Sequence, residues 1–193
     1  MLKITNLSFS FDKKTIFDSF SMELKKGEIL ALMGPSGCGK TTLLGLASGI
    51  LKPQKGEIEN NAQKIACVFQ EPRLFPWLTV KGNLLAVMNE KDENALQIVE
   101  ECLSLVELED AIDKYPRELS GGMKSRVSLA RALAYGGDLF LLDEPFAALD
   151  EALRSTLSVK IKDYLRERGA SAILVTHGKE DAEQIADRIL TLS

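Results

Sequence analysis

Cysteine is scarce in this sequence. Cys38, Cys67 and Cys102 form an odd, scattered set, with neither the paired spacing of a zinc site nor the density of a secreted disulfide scaffold. That usage is the one expected of a reducing, intracellular compartment. Long apolar runs are missing too: no stretch of eighteen apolar residues occurs, so none of these segments is expected to span a bilayer, and work at a membrane would require another chain. The first residues, MLKITNLSFSF, alternate polar and apolar groups where a signal peptide would show a basic region and an apolar block, so no export is indicated. Neither sign of charge dominates. Lys plus Arg total 24 against 28 Asp plus Glu, a net charge of -4, so bulk electrostatics gives no reason to expect nucleic acid as a partner. Any phosphate must be caught by a local site.

The 193 residues are 45% hydrophobic and 27% charged, an ordinary globular composition. Such a chain buries roughly 70% of its unfolded surface and needs no metal or disulfide staple. Residues 2–11 alternate as a strand does, and 28–33 and 64–69 are short apolar runs that read as strands. Between them Leu43, Leu44, Leu46 and Ala47 predict a helix over 40–50. From about residue 71 the texture changes. Leu96, Val99, Leu103 and Val106, then Val127, Ala130, Leu133 and Ala134, recur at steps of three and four, so the middle of the chain reads as all-helical. Strands at 138–142 and 171–175 flank a helix marked by Leu153, Leu157, Ile161 and Leu165. The expectation is an α/β core made of 1–71 and 137–193, interrupted by a helical part at 72–136.

Three motifs carry chemistry. Gly34, Pro35, Ser36, Gly37, Cys38, Gly39, Lys40 and Thr41 spell GxxxxGK[ST] between a predicted strand and a predicted helix, the context that marks a phosphate-binding loop. Its glycines let successive backbone N–H groups point at a phosphate, Lys40 adds a cation, and Thr41 offers an oxygen to magnesium. LFLLDEP at 139–145 places Asp143 and Glu144 at the end of a buried strand. Such a pair serves either as a solvated turn or, beside a phosphate loop, as a magnesium carboxylate followed by a general base. LSGGM at 119–123 opens a helix, where Ser120 with the N–H groups of Gly121 and Gly122 is either a plain cap or a second anion site.

These motifs, together with Ala148-Leu149-Asp150 and the lone His177, resemble in their order the ATP-binding-cassette ATPases over nearly the whole chain. The resemblance implies a P-loop NTPase (RecA-like) α/β core, an N-terminal antiparallel β region and a helical subdomain, with ATP and Mg2+ as ligands. It implies that Phe11 stacks on adenine, although an aromatic on an early strand is also ordinary core. The loop 34–39 with Lys40, Thr41 and Thr42 would bind phosphates and magnesium. Gln70 would contact magnesium or the attacking water, Asp143 would support magnesium, Glu144 would be the general base, and His177 would contact the γ-phosphate. Ser120, Gly121 and Gly122 would face a nucleotide held by a second copy, with Asp150 organising that junction. Cys38 is given no catalytic part; Cys67 and Cys102 read as packing.

The segment 70–80, with Leu74, Phe75 and Trp77, reads either as a docking groove or as internal core. With LSGGM and EPFAALD it resembles the cassettes of bacterial importers for nitrate, sulfonate, taurine, bicarbonate or thiamine precursors. That implies a homodimer or paired cassettes on the inner face of the membrane, docked to permease subunits and served indirectly by a solute-binding protein. Ser125 and Gly178 depart from the glutamine and aspartate usual there, and the sequence stops at Ser193, ahead of the C-terminal residues such cassettes generally carry. Lipid extraction, cell-envelope work, or a nonhydrolysing nucleotide-binding interaction module are the other functions these motifs allow.

Overall fold

The computed structural model describes residues 1–12, 14–89 and 92–193. Two sheets form. Strands β1 (Leu2–Phe11), β2 (Lys14–Leu24) and β4 (Lys55–Asn60) make an antiparallel sheet in the order β2-β1-β4. Strands β3 (Ile29–Met33), β5 (Ile65–Val68), β6 (Leu139–Asp143), β7 (Ser171–Val175) and β8 (Arg188–Thr191) make a parallel sheet in the order β5-β6-β7-β3-β8. The helices are α1 (Lys40–Ala47), α2 (Val80–Leu85), α3 (Ala95–Leu105), α4 (Gly121–Tyr135), α5 (Glu151–Glu167) and α6 (Lys179–Ile185).

The period of two in the parallel strands divides the core. Leu139 and Leu141, Ile173 and Val175, and Leu30 and Leu32 face α1 and the antiparallel sheet, where they meet Leu2, Ile4, Leu7 and Phe9. Phe140 and Leu142, with Ala172 and Leu174, face the opposite way and share one apolar cluster with Val80, Leu84, Val99, Leu103, Val127 and Ile161. A sheet covered on both faces needs apolar residues at successive positions, which is why its strands read as unbroken runs.

No strand lies among the described residues of 72–136. The helix expected over 40–50 stops at Ala47, because Gly49 turns left-handed at φ 78° and its N–H bonds to Leu46 O at 3.1 Å. In β1 the alternation slips between Ile4 and Leu7, where Asn6 takes a φ of 49° and bulges the strand.

A candidate ATP-hydrolysing site

The phosphate loop leaves β3 and runs directly into α1. Gly39 holds a φ of 106° and is packed from behind: a Cβ there would stand 2.6 Å from Ile16 Cγ2. Only glycine permits both the turn and the contact. Pro35 has no N–H to offer a phosphate, but its carbonyl, with that of Gly34, accepts the Lys40 ammonium at 2.9 and 2.8 Å. Lys40 is 7% exposed, and the loop's own dipoles hold its charge in place.

A cleft of about 380 Å3 opens over the loop, within the range of roughly 300–1,000 Å3 usual for ligand sites. It brings together Phe11, Ser36, Gly37, Gly39, Lys40, Thr41, Thr42, Gln70, Glu144 and His177 from distant parts of the sequence. Phe11 is 49% exposed and stands edge-on to Phe9 with ring centroids 5.0 Å apart, so its core reading is set aside. Gly34, Pro35 and Cys38 do not line the cleft; Cys38 packs against the apolar cluster beneath the loop. Lys14 and Ile16 do line it, from a strand that the sequence reading left unassigned.

Below the cleft Thr41 Oγ1 donates to Asp143 Oδ2 at 2.7 Å. Asp143 is buried at the end of β6, and desolvation pushes its carboxyl above the ordinary value of 3.8 against the pull of the Thr41 hydrogen bond. Glu144 follows with a φ of 50°, a left-handed conformation uncommon outside glycine, asparagine and aspartate, and its N–H bonds to Val175 O at 3.1 Å. That turn sends adjacent carboxylates to different places. Glu144 Oε1 stands 2.7 Å from His177 Nε2.

Ser120, Gly121, Gly122 and Asp150 lie outside this cleft. The Ser120 hydroxyl caps α4 by accepting Met123 N–H at 3.2 Å, and Asp150 caps α5 by accepting Leu153 N–H at 3.0 Å. Gly122 abuts the turn at 146–150 so closely that a Cβ would stand 2.8 Å from Ala148 O. Ser125 donates back to Gly121 O at 3.3 Å within α4. A larger cavity of about 530 Å3 lies between α3 and α5, but its candidate nucleophile is inert: burial pushes the Cys102 thiol up to about 12.

The profile described as "ABC transporter" matches residues 17–147. The chain belongs to the ABC transporter family. As a member it is an ATP-binding cassette and an ATPase. It is 40% identical to an aliphatic sulfonates import ATP-binding protein of Bacillus subtilis, over 93% of this cassette and 73% of that protein. It is 43% identical to a bicarbonate transport ATP-binding protein of Synechococcus elongatus, over 89% of this cassette but 28% of that longer protein. The fold superimposes on a dimeric post-hydrolysis structure of the ATP-binding cassette MJ0796 with ADP and Pi at a TM-score of 0.90, with 30% identity. That match covers 100% of this cassette and 94% of the other chain.

Proposed function

We propose that this cassette powers a bacterial importer of small anionic solutes, closing face to face with a second copy on ATP and reopening on hydrolysis. The observation that carries the hydrolytic reading is the 2.7 Å contact of Glu144 with His177 at a cleft walled by the glycine loop and Lys40. In this reading Phe11 meets the adenine, while the N–H groups of the loop, Lys40 and Thr42 hold the phosphates. Lys14 adds a cation at the rim. Thr41 Oγ1 and the Asp143 carboxylate, 2.7 Å apart, are hard oxygen donors suited to magnesium. Among the described residues no trio of His, Cys, Asp or Glu could hold a metal alone, so the remaining ligands must come from phosphate and water, and Gln70 lines the same cleft as Thr41. When bound, the ion neutralises charge that gathers on the phosphate oxygens.

Glu144 takes the proton of the attacking water. His177, with Nε2 2.7 Å from one carboxylate oxygen, steadies Glu144 and leaves its other oxygen for that proton. Ser120, Gly121 and Gly122 would face the nucleotide of the second copy, and Asp150 would steady the junction by capping α5. The difference in ATP affinity between open and closed pairs supplies the work. It passes through the helical part, 72–136, to permease subunits at the inner face of the membrane. No described helix is long and apolar enough to cross a membrane, which leaves that step to the permease. Trp77, 70% exposed and paired with Phe75 at 5.7 Å, stands beside a groove lined by Phe69, Arg73 and Arg131. This is the surface a permease helix would cover. The anionic solute follows the sulfonate and bicarbonate relatives, and its selection rests with the permease and an external binding protein.

Glu144→Gln is expected to lower kcat by about 10²–10⁴ while ATP affinity stays within about twofold. Wild-type turnover in that variant would overturn the assignment.

A further inference from the structure

Beside the Glu144–His177 pair lies a second cavity, of about 190 Å3, lined by Arg154, Thr176, Gly178 and Asp181 among others. Gly178 directly follows His177, and the space its missing side chain would take is filled from elsewhere. A Cβ on Gly178 would stand 2.5 Å from Asp181 Oδ2. Asp181 is buried in the first turn of α6, where its carboxylate accepts the Thr176 hydroxyl at 3.4 Å and faces Arg154 Nη1 at 3.7 Å. Thr176 Oγ1 accepts the Gly178 N–H at 3.1 Å, so the peptide after His177 is tied back to Asp181.

Arg154 reaches the other way. Its Nη2 donates to Leu149 O at 2.9 Å, inside the turn that presses on Gly122. Its buried Nε has no hydrogen-bond partner, and its ion pair is longer than the roughly 2.7–2.9 Å of a tight charge-assisted bond. A buried donor left unspent beside a slack ion pair calls for a reason. A joint that tightens in another state of the molecule supplies one.

We propose that Arg154 and Asp181 are positioning residues for hydrolysis, joining the turn at 146–150 to the loop that carries His177. The proposal rests on the roles given above to Glu144 and His177. A second copy pressing on Ser120 to Asp150 displaces the turn, and the pair carries that displacement to Thr176 and so to the imidazole. The carboxylate matters for where it lies, whichever of positions 178 and 181 supplies it.

A swap tests this. Asp181→Ala removes the carboxylate, Gly178→Asp crowds a second one into the same space, and the double variant restores a single carboxylate there. His177 is the one histidine of the chain, so its imidazole signal in NMR needs no further assignment. Each single variant is expected to lower kcat about tenfold or more with KM within about twofold, and to shift or broaden that signal. The double variant is expected to return kcat to within about threefold of wild type and to restore the signal. Losses that simply add in the double variant, or single variants without effect on either readout, would overturn the proposal. If Asp181→Ala fails to fold, Arg154→Gln with the same readouts decides. Glu144→Gln run alongside separates the two readings: if it keeps turnover, the reading of the site fails, and if it loses turnover while the swap losses add, only the joint fails.

Discussion

Burial raises the Asp143 carboxyl because desolvation penalises its charged form, and the consequence for stability has a definite sign. The folded state holds this proton more readily than the unfolded chain. The contribution to stability is therefore complete below the ordinary value of 3.8 and is lost as pH rises through the raised folded value. At pH 7 the buried charge is a cost. Asp143→Asn keeps an acceptor for Thr41 and is expected to raise Tm at pH 7 by about 2–4 °C, the effect of about 1 kcal/mol in a chain of this size. The same variant is expected to lose most of the further stabilisation that Mg2+ with ATP gives wild type. Thermal scans of both proteins at pH 4 and pH 7 read the two effects, and an unchanged or lower Tm at pH 7 would contradict the sign. Asp143 and Glu144 were singled out by a motif of fixed spacing and His177 only by the family resemblance; the structure brings Glu144 and His177 to one cleft, with Asp143 beneath it on Thr41. Lys14 was not singled out, since its place at the cleft depends on how β2 pairs with β1.

At the scale of elements, α4 bears on two sites at once. Its first turn presses Gly122 against Ala148 O, whereas a Cβ on Gly121 would meet nothing within 4 Å. Gly122→Ala is expected to cost about 1–3 kcal/mol of stability through that overlap, and Gly121→Ala less than about 0.5 kcal/mol. Urea unfolding measures both, and equal effects would contradict the packing. Further along, Arg131 donates to Pro72 O and to Arg73 O, each at 3.0 Å, and so fastens α4 to the segment that follows Gln70. Asn83 holds the same segment from α2, bonding both ways to Phe75 at 2.8 and 3.1 Å. Arg131→Leu leaves two carbonyls without their cation and is expected to destabilise by about 2–3 kcal/mol. A loss below about 0.5 kcal/mol would show that the fastening carries no load. The buried parallel strands and the long amphipathic helices were readable because burial imposes a pattern. Strands β2 and β4 escaped: β4 reads KGEIEN, mostly exposed with Ile58 its one bulky apolar residue, and register shifts break the alternation where β2 pairs with β1.

For the whole molecule the pattern of motifs identified the family, but the apposition of Gly122 with Ala148, and of Gly178 with Asp181, depends on tertiary packing that no spacing reveals. Trp77 makes the same point from the surface. Leu74, Phe75 and Trp77 read either as a docking groove or as internal core, and Leu74 packs inward while Trp77 stands out to solvent. Trp77→Ala is expected to leave basal ATPase activity within about twofold while abolishing stimulation by a reconstituted permease, and stimulation at the wild-type level would remove this surface from the docking site. The proposed function requires each hydrolytic site to be completed by a second copy. It is tested most directly by the specific activity of the purified chain across protein concentrations, with Glu144→Gln sedimented in ATP. Specific activity that rises with concentration, together with an ATP-held dimer of the variant, is the expected result. Constant specific activity with a variant that stays monomeric in ATP would contradict it.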